Sequence, residues 1–207
     1  MKDWNKILKP LLELYRNKRH PLEYQNLYQL LVMVVLSAQD SDANINKISP
    51  ALFEAFPDME SLSRAKIDSL IPLISKVRKF QTKASWLLEI AQIIKEDKNI
   101  PRSMEELVAL KGIGRKSANV ILRESGSKSE GVIVDLHVIR VAPRLGLADE
   151  SKDGNKIEKQ IMTQLSEDMW AVGMPISFLG REICRPTNPK CDECILNADC
   201  NFYQTSI

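Results

Sequence analysis

The sequence predicts an all-α protein. Apolar residues recur at three- and four-residue spacing through most of the 207 residues, which is the period of an amphipathic helix. Prolines, glycines and small polar residues of the kind that begin or end helices separate these stretches. The sequence shows no convincing strand pairing and no repeat of fixed period. These features together favour one helix after another along the whole chain.

Six helical segments are predicted before residue 100. They are Trp4–Leu14, Leu27–Leu36, Ala43–Phe56, Met59–Ala65, Ile67–Ile74 and Gln81–Glu96. The second is apolar on nearly every side and should be buried, whereas Pro72 should interrupt the fifth because proline lacks the amide hydrogen that a helix interior uses. The inner face of the sixth should carry Leu87, Leu88, Ile90, Ala91, Ile93 and Ile94.

The second half continues in the same way. Ser103 and Glu106 form a capping box before Leu107, and Asp135 precedes a helix that reaches about Leu145. The remaining segments are a helix over Arg115–Arg123, a loop over Ser125–Ser129, an extended piece over Val132–Val134, and helices over Asn155–Leu165 and Ala171–Ile183.

Composition excludes several classes of protein. A hydrophobic content of 44% with 29 basic against 27 acidic residues is unlike a disordered chain. The longest apolar run, Leu30–Leu36, is far shorter than the roughly 20 residues that cross a bilayer. Residues 1–6 lead into no apolar stretch, so no signal peptide is expected and the chain should be cytoplasmic. A net charge of +2 argues neither for nor against nucleic-acid binding.

Two glycines, Gly112 and Gly114, separate a helix that ends near Leu110 from one that begins at Arg115. Glycine lets the backbone turn sharply and approach a partner closely. The amide groups that open the second helix favour an anion, for which a phosphate is the natural candidate, with Arg115 and Lys116 as nearby cations. A plain helical hairpin with solvated basic residues would show the same pattern, so the motif alone leaves both interpretations open.

Lys116 and Asp135 are the candidate chemical groups. Most lysines are solvated charges, but the positive end of a helix dipole disfavours the ammonium form at Lys116, and partial burial would disfavour it further. The neutral amine is the form that Schiff-base chemistry requires. Asp135 follows an apolar run and is most simply a helix cap, or it could face Lys116 across a cleft. A histidine near a helix start is more often structural, so His137 receives no catalytic role.

All four cysteines lie between Cys184 and Cys200, with Cys191 and Cys194 between them. A disulfide framework would be spread over a small secreted chain. A cluster of thiols at one end of a large chain instead predicts a metal site, and both zinc and an iron–sulfur cluster accept four cysteines. The spacing favours iron–sulfur modestly. Arg181, Arg185 and Lys190 make the surrounding loop basic.

Taken together, these residues resemble endonuclease III, of the helix-hairpin-helix glycosylase superfamily. Four segments match in order, from about Leu30 to Cys200. They are Leu36-Ser37-Ala38-Gln39 with Asp42, Asn46 and Lys47; the hairpin Leu110–Val120; the Val134–Val141 segment around Asp135; and the cysteine spacing. The resemblance implies a two-domain helix-hairpin-helix DNA glycosylase fold. A six-helix bundle would span residues 21–130, with the hairpin at about 103–123. A helical iron–sulfur domain would combine residues 1–20 with 131–207, with the cluster loop at 184–200, and DNA would lie across the cleft between the domains.

The implied activity is that of a DNA glycosylase and abasic-site lyase. The enzyme would excise an oxidised pyrimidine from duplex DNA, with Lys116 attacking C1′ and Asp135 stabilising positive charge on the sugar. The four cysteines would hold a [4Fe–4S] cluster, and Gln39 would fill the space left by the extruded nucleotide. Further candidate DNA contacts are Leu110, Lys111, Gly112, Gly114, Arg115, His137, Arg140, Arg185 and Lys190. The expected partner is double-stranded DNA with damaged bases or abasic sites, bound by a monomer associated with a prokaryotic nucleoid and with no membrane.

The chain departs from the family pattern at several places. Lys111 replaces a proline, Leu136 replaces a threonine, Phe178-Leu179 replaces a histidine-containing pair, Arg78 replaces a glycine and Asp40 replaces an uncharged residue. None of these changes removes the lysine, the aspartate or the cysteines. The chemistry should therefore survive, while the departures put the lesion range in question.

Two alternatives are weighed against this interpretation. The adenine glycosylase branch shares the cluster but uses a glutamate on the first core helix, where this chain has Val32. A non-catalytic DNA-binding module with a zinc-loaded loop is the other, and a yellow-brown colour would distinguish an iron–sulfur protein from it.

Overall fold

The computed structural model describes residues 2–206, and every regular element in that range is a helix. The chain forms two compact units. We call Arg19–Ser127 the middle unit, and Met1–Lys18 together with Lys128–Ile207 the terminal unit. The prediction of an all-α protein is confirmed for the described residues.

The α-helices of residues 2–206 are labelled α1 to α12 in chain order. They span Trp4–Leu14, Leu27–Ser37, Asp42–Ala55, Met59–Ser63, Ile67–Ile74, Phe80–Ile94, Met104–Ala109, Arg115–Glu124, Leu136–Leu145, Gly154–Gln164, Gly173–Glu182 and Asn201–Ser206. Short 3₁₀ segments occupy Asp97–Asn99, Glu167–Val172, Cys191–Glu193 and Asn197–Asp199. No helix among the described residues has the length and apolar character needed to cross a bilayer.

Helix α2 is the core of the middle unit. Every side chain from Leu30 to Leu36 is at most 4% exposed, and α2 packs against α3, α6 and α8. Asn26 caps its start by accepting the amide hydrogen of Gln29. Burial of each large apolar side chain stabilises the fold by about 1.5–3 kcal/mol. The predicted burial of this helix is confirmed, and it gives the adjoining Gln39 loop a rigid support.

Two expectations about the middle unit are wrong. Helix α5 continues through Pro72 without a break, because Leu70 and Ile74 are fully buried and hold both sides of the proline in place. Ile93 does not face inward: its side chain is 60% exposed. It lies on the outer side of α6, and a single exposed apolar residue is an ordinary feature of a protein surface.

In the terminal unit, α9 and α11 pack closely side by side. A β-carbon on Gly180 of α11 would lie 2.9 Å from Cβ of His137 in α9, so glycine permits this approach. At the other end of α11, a β-carbon on Gly173 would lie 2.5 Å from the carbonyl oxygen of Ile133. The extended segment over Val132–Val134 is thereby held against α11, and this contact places Asp135 at the start of α9.

Candidate active site and cysteine loop

The predicted hairpin is formed by α7 and α8 in the middle unit. Leu110 ends α7, Gly112 has a left-handed backbone with φ +80°, and the extended Gly114 precedes α8. A β-carbon on Gly112 would lie 2.5 Å from Cε3 of Trp86. Both the positive φ and the indole ring therefore require glycine at this turn.

The start of α8 is open on the side of Gly114. This cap residue has no side chain to bond the first amides, and a β-carbon built on it would meet no atom within 4 Å. Amide groups at such a helix start attract an anion. Arg115 and Lys116 are the first two residues of α8, and the side chain of Lys116 is exposed. The partial burial considered for Lys116 is therefore not present, although Ala118 of the same turn is buried.

Lys111 and Leu110 serve the turn in different ways. The Nζ of Lys111 donates to Oε2 of Glu89 on α6 at 2.8 Å, with both side chains about half exposed. Leu110 is only 5% exposed, so its side chain packs into the middle unit. The extra cation at Lys111 is thus shared with a carboxylate of its own unit.

His20 lies close to the charges of α8. Burial lowers its pKa from 6.5 to about 4, Glu124 opposes that change, and the positive charge of Lys116 adds to it. The Nδ1 atom of His20 accepts the amide hydrogen of Leu22 at 3.1 Å. A neutral imidazole therefore lies near the candidate lysine at physiological pH.

Gln39 follows α2 in a conformation that is rare for a residue with a side chain. Its φ is +60°, and its side chain is exposed. Lys83 of α6 holds the backbone just before Gln39. It is only 2% exposed, and its Nζ donates to the carbonyl oxygens of Leu36 and Ala38 at 2.7 Å each. Strained backbone that the surrounding structure enforces is common at binding sites. Lys83 was not identified from sequence, although its place on the apolar face of α6 is a signal for it.

Asp40 connects this loop to the turn before α6. Its Oδ2 accepts the amide hydrogen of Arg78 at 2.8 Å, while its Oδ1 accepts from the Ser41 amide at 2.8 Å and from the Asn44 side chain at 3.0 Å. Partial burial opposes ionisation, but these hydrogen bonds, led by the one from Arg78, lower the pKa of Asp40. The Asp40 side chain thus supports the turn before α6, and the bond comes from the backbone amide of residue 78, not from the arginine side chain.

Asp135 caps α9 in the terminal unit, as the sequence predicts. Its Oδ1 accepts the amide hydrogens of His137 and Val138 at 2.9 and 3.0 Å. Its Oδ2 accepts from the hydroxyl of Ser177 at 2.5 Å and lies 3.7 Å from Nη2 of Arg181. The carboxylate is held at both oxygens and its side chain is 15% exposed. Lys116 belongs to the middle unit and Asp135 to the terminal unit.

His137 and Arg140 both make contacts within the terminal unit. Burial lowers the pKa of His137, with Asp135 opposing that change. Arg140 donates through Nη2 to the carbonyl oxygen of Gly180 at 2.8 Å and through Nε to that of Cys184 at 3.1 Å. The first bond joins α9 to α11, and the second joins α9 to the start of the cysteine loop.

The two other candidate DNA contacts lie on the cysteine loop. Arg185 is exposed. Lys190 donates to Oε2 of Glu193 at 3.0 Å, with both side chains well exposed. Their contact with DNA stays a prediction.

The four predicted metal ligands line one cavity. Cys184, Cys191, Cys194 and Cys200 share it with mostly apolar side chains, among them Leu179. Burial, reinforced by neighbouring cysteines, raises the pKa of Cys191 and Cys194. Within residues 2–206, no three His, Cys, Asp or Glu side chains converge tightly enough for a single ion.

Arg144 of α9 supports this loop and was missed by sequence reasoning. It donates to the carbonyl oxygens of Arg185 at 2.8 Å and Pro186 at 3.1 Å, and to Sγ of Cys184 at 3.4 Å. Its guanidinium also lies 4.6 Å from the ring centroid of Phe202. Its position one helical turn after Arg140, on the same face, was the available signal.

Comparison with known proteins agrees with this geometry. Residues 32–167 match the HhH-GPD superfamily base excision DNA repair protein family. Endonuclease III of Thermotoga maritima is 36% identical over 193 residues, covering 90% of this chain and 89% of that protein. Endonuclease III of a Synechocystis species is 37% identical over 203 residues, covering 97% and 92%.

Solved structures share the fold. A non-covalent endonuclease III–DNA complex has a TM-score of 0.84 at 28% identity, covering 97% of this chain and 95% of that one. A thermostable thymine-DNA glycosylase has a TM-score of 0.81 at 18% identity, covering 99% and 100%, and it supports the fold alone. The chain belongs to the HhH-GPD superfamily of base excision DNA repair proteins and, within it, to the endonuclease III family.

Proposed function

We propose that this member of the endonuclease III family is a bifunctional DNA glycosylase and abasic-site lyase that excises oxidised pyrimidines from duplex DNA and then cuts the strand on the 3′ side. The observation that carries the proposal is the exposed Lys116 in the first turn of α8, directly after a turn that only glycine fits at Gly112. The family and the hairpin provide the DNA-repair context, and the lysine provides the chemistry.

Lys116 is the proposed nucleophile. Its neutral amine attacks C1′ of the damaged nucleotide, the glycosidic bond breaks, and the base leaves with the bonding electrons and takes up a proton. Ring opening gives a Schiff base between Nζ and C1′. Loss of a proton from C2′ then expels the 3′ phosphate by β-elimination, and hydrolysis frees the lysine. The exposed position of Lys116 in the first turn of α8 supports this role, because the side chain is accessible to a substrate.

Asp135 is the proposed electrostatic partner in base release. The sugar develops positive charge as the glycosidic bond breaks, and an ionised carboxylate stabilises that charge. Hydrogen bonds from two backbone amides and from Ser177 favour the ionised form and fix its direction. For Asp135→Asn we expect a large loss of base excision with DNA binding retained. Excision at the wild-type rate would contradict this role.

The DNA contacts in the proposal fall into two groups. The amides at Gly112, Gly114 and the start of α8 bind a backbone phosphate, with Arg115 beside them. Gln39 enters the stack in place of the extruded nucleotide, since a base inside the duplex is out of reach of the lysine. The exposed, left-handed backbone of Gln39 supports this role. The remaining candidates are Leu110, Lys111, His137, Arg140, Arg185 and Lys190.

The cysteine loop is proposed to hold a [4Fe–4S] cluster. Four thiols in one largely apolar cavity, with the guanidinium of Arg144 beside Cys184, suit an anionic iron–thiolate group. When bound, the cluster would offset part of the thiolate charge and would tie together the loop that carries Arg185 and Lys190. Metal analysis and visible absorption test this assignment. Four irons with absorption near the blue would support it, and a colourless zinc-loaded protein would contradict it.

A lesion panel tests the function as a whole. Duplexes carrying thymine glycol, dihydrouracil, an abasic site, a mismatched thymine or a pyrimidine dimer are incubated with the purified protein, and released base and cut strand are measured separately. We expect release of thymine glycol and dihydrouracil with cleavage 3′ to the lesion. Release without cleavage would contradict the lyase, and no release of oxidised pyrimidines would contradict the substrate class.

We further propose that the protein acts as a monomer on nucleoid DNA in the cytoplasm.

A further inference from the structure

Ser177 is a fully buried hydroxyl on an otherwise apolar surface. It lies in the middle of α11, where every residue from Gly173 to Gly180 is buried, and its own exposed fraction is 0%. Burial of a hydroxyl without a partner costs about 1–3 kcal/mol. A serine in this position therefore needs a hydrogen-bond partner that offsets this cost.

The partner of Ser177 is the carboxylate assigned to catalysis. The hydroxyl donates to Oδ2 of Asp135 at 2.5 Å, at the low end of the range for a hydrogen bond to a charged oxygen. Arg181, one helical turn further along α11, has its Nε 3.5 Å from the Ser177 hydroxyl oxygen and its Nη2 3.7 Å from the same Oδ2. The serine thus lies between a carboxylate and a guanidinium, inside one unit.

The two oxygens of Asp135 are used differently. Oδ1 is occupied by the backbone amides that begin α9, so it is fixed by the helix itself. Oδ2 is directed by side chains of α11, among which Ser177 makes the shorter contact. Removal of that hydroxyl would leave the cap intact and would remove the shorter of the two α11 contacts that orient Oδ2. The bonds that cap α9 are therefore distinct from the bond that Ser177 makes to the same carboxylate.

We propose that Ser177 is a positioning residue that directs Oδ2 of Asp135 during base release and keeps the carboxylate in its ionised form. The inference rests on the proposed function of Asp135. A hydroxyl that donates to the charged oxygen favours the ionised form and weakens the carboxylate as a proton acceptor. It also fixes the direction in which the negative charge faces the sugar. Ser177 thereby makes Asp135 an electrostatic group in the glycosylase step.

The test compares Ser177→Ala with the wild type in single-turnover base release from thymine glycol DNA. We expect release to be about 10- to 100-fold slower, as for loss of one hydrogen bond to a charged group. The acidic limb of the pH–rate profile should move to higher pH, because the ionised carboxylate has lost a donor. Ser49→Ala is the matched control, since Ser49 is a buried serine of α3, 3% exposed, that donates to the carbonyl oxygen of Asn46.

Borohydride trapping on a preformed abasic site separates the two levels of the proposal. Ser177→Ala should still form the covalent adduct, because attack on an abasic aldehyde needs no base release. A wild type that neither releases base nor traps would contradict the proposed function. An active wild type with Ser177→Ala at the wild-type rate and an unchanged pH profile would overturn this inference alone.

A second variant covers the case in which alanine prevents folding. Ser177→Cys keeps a side chain of the same shape, somewhat larger and with a much weaker donor. It should fold and release base at least severalfold more slowly. Release at the wild-type rate with an unshifted acidic limb would again overturn the inference.

Discussion

A comparison of Gly112 with Gly114 can separate the effect of the hairpin turn on stability from its effect on DNA binding. In Gly112→Ala the new residue must keep φ +80° and place its β-carbon 2.5 Å from Cε3 of Trp86. The left-handed backbone costs about 1–2 kcal/mol, overpacking against the ring costs about 1–3 kcal/mol, and reduced freedom of the unfolded chain returns about 0.4–1 kcal/mol. The expected loss of stability is about 1–5 kcal/mol, seen as a melting temperature lower by roughly 2–20 °C.

Gly114→Ala is the matched control for this prediction. Its backbone is extended, with φ −94° and ψ 176°, and the added methyl would meet no atom within 4 Å. Thermal stability should therefore not fall, and the reduced freedom of the unfolded chain should raise it by up to about 1 kcal/mol. Affinity for abasic-site DNA, measured by fluorescence anisotropy, should fall because the methyl stands where a phosphate approaches the amides of α8. Wild-type stability in Gly112→Ala would refute the packing argument. Wild-type affinity in Gly114→Ala would refute the phosphate site.

Three further predictions concern groups outside the hairpin. Lys83→Met removes two buried hydrogen bonds to carbonyl oxygens around the Gln39 loop, so it should lower stability by about 1–3 kcal/mol and slow base release; normal melting and release would contradict that role. The pKa of His20 is about 4 in the folded protein and 6.5 in the unfolded chain. The free energy of unfolding should therefore be highest above pH 6.5 and should fall by about 3 kcal/mol in all as the pH drops to about 4. His20→Asn keeps a hydrogen-bond acceptor, and its unfolding free energy, measured by denaturant titration across that range, should no longer fall in this way. If the variant shows the same pH dependence as the wild type, His20 is not its source. Arg144→Met should loosen the cysteine loop and speed loss of visible absorption on treatment with an iron chelator, and an unchanged rate would count against Arg144.

The helices and the turn were predictable because local chemistry determines them. The apolar run that became α2 could satisfy its side chains only in a core, and Asp135 before an apolar helical stretch is a cap wherever it occurs. The two glycines marked the turn, although only the structure shows that they differ. Gly112 is required by its backbone and by Trp86, whereas Gly114 keeps open space at the start of α8.

The supporting residues were not predictable because their partners are distant in sequence. Lys83 bonds carbonyl oxygens 45 and 47 residues away, Ser177 bonds a carboxylate 42 residues away, and Arg144 bonds loop carbonyl oxygens 41 and 42 residues away. Each is a polar residue on an apolar or crowded face, which signals a buried partner without naming it. Pro72 and Ile93 show where local rules failed. Buried neighbours keep α5 continuous through Pro72, and the helical period that placed Ile93 inside did not reveal that this side of α6 faces solvent.

The central claim is that Lys116 forms a covalent bond to C1′ of the damaged nucleotide. Borohydride reduction of the protein with duplex DNA containing thymine glycol or an abasic site tests it most directly, followed by peptide mapping of the adduct. Lys116→Ala should form no adduct, while Lys111→Ala, which removes a neighbouring lysine paired with Glu89, should still form one. We predict a single adduct on Lys116 in the wild type. No adduct in the wild type, or equal trapping in Lys116→Ala, would contradict the account.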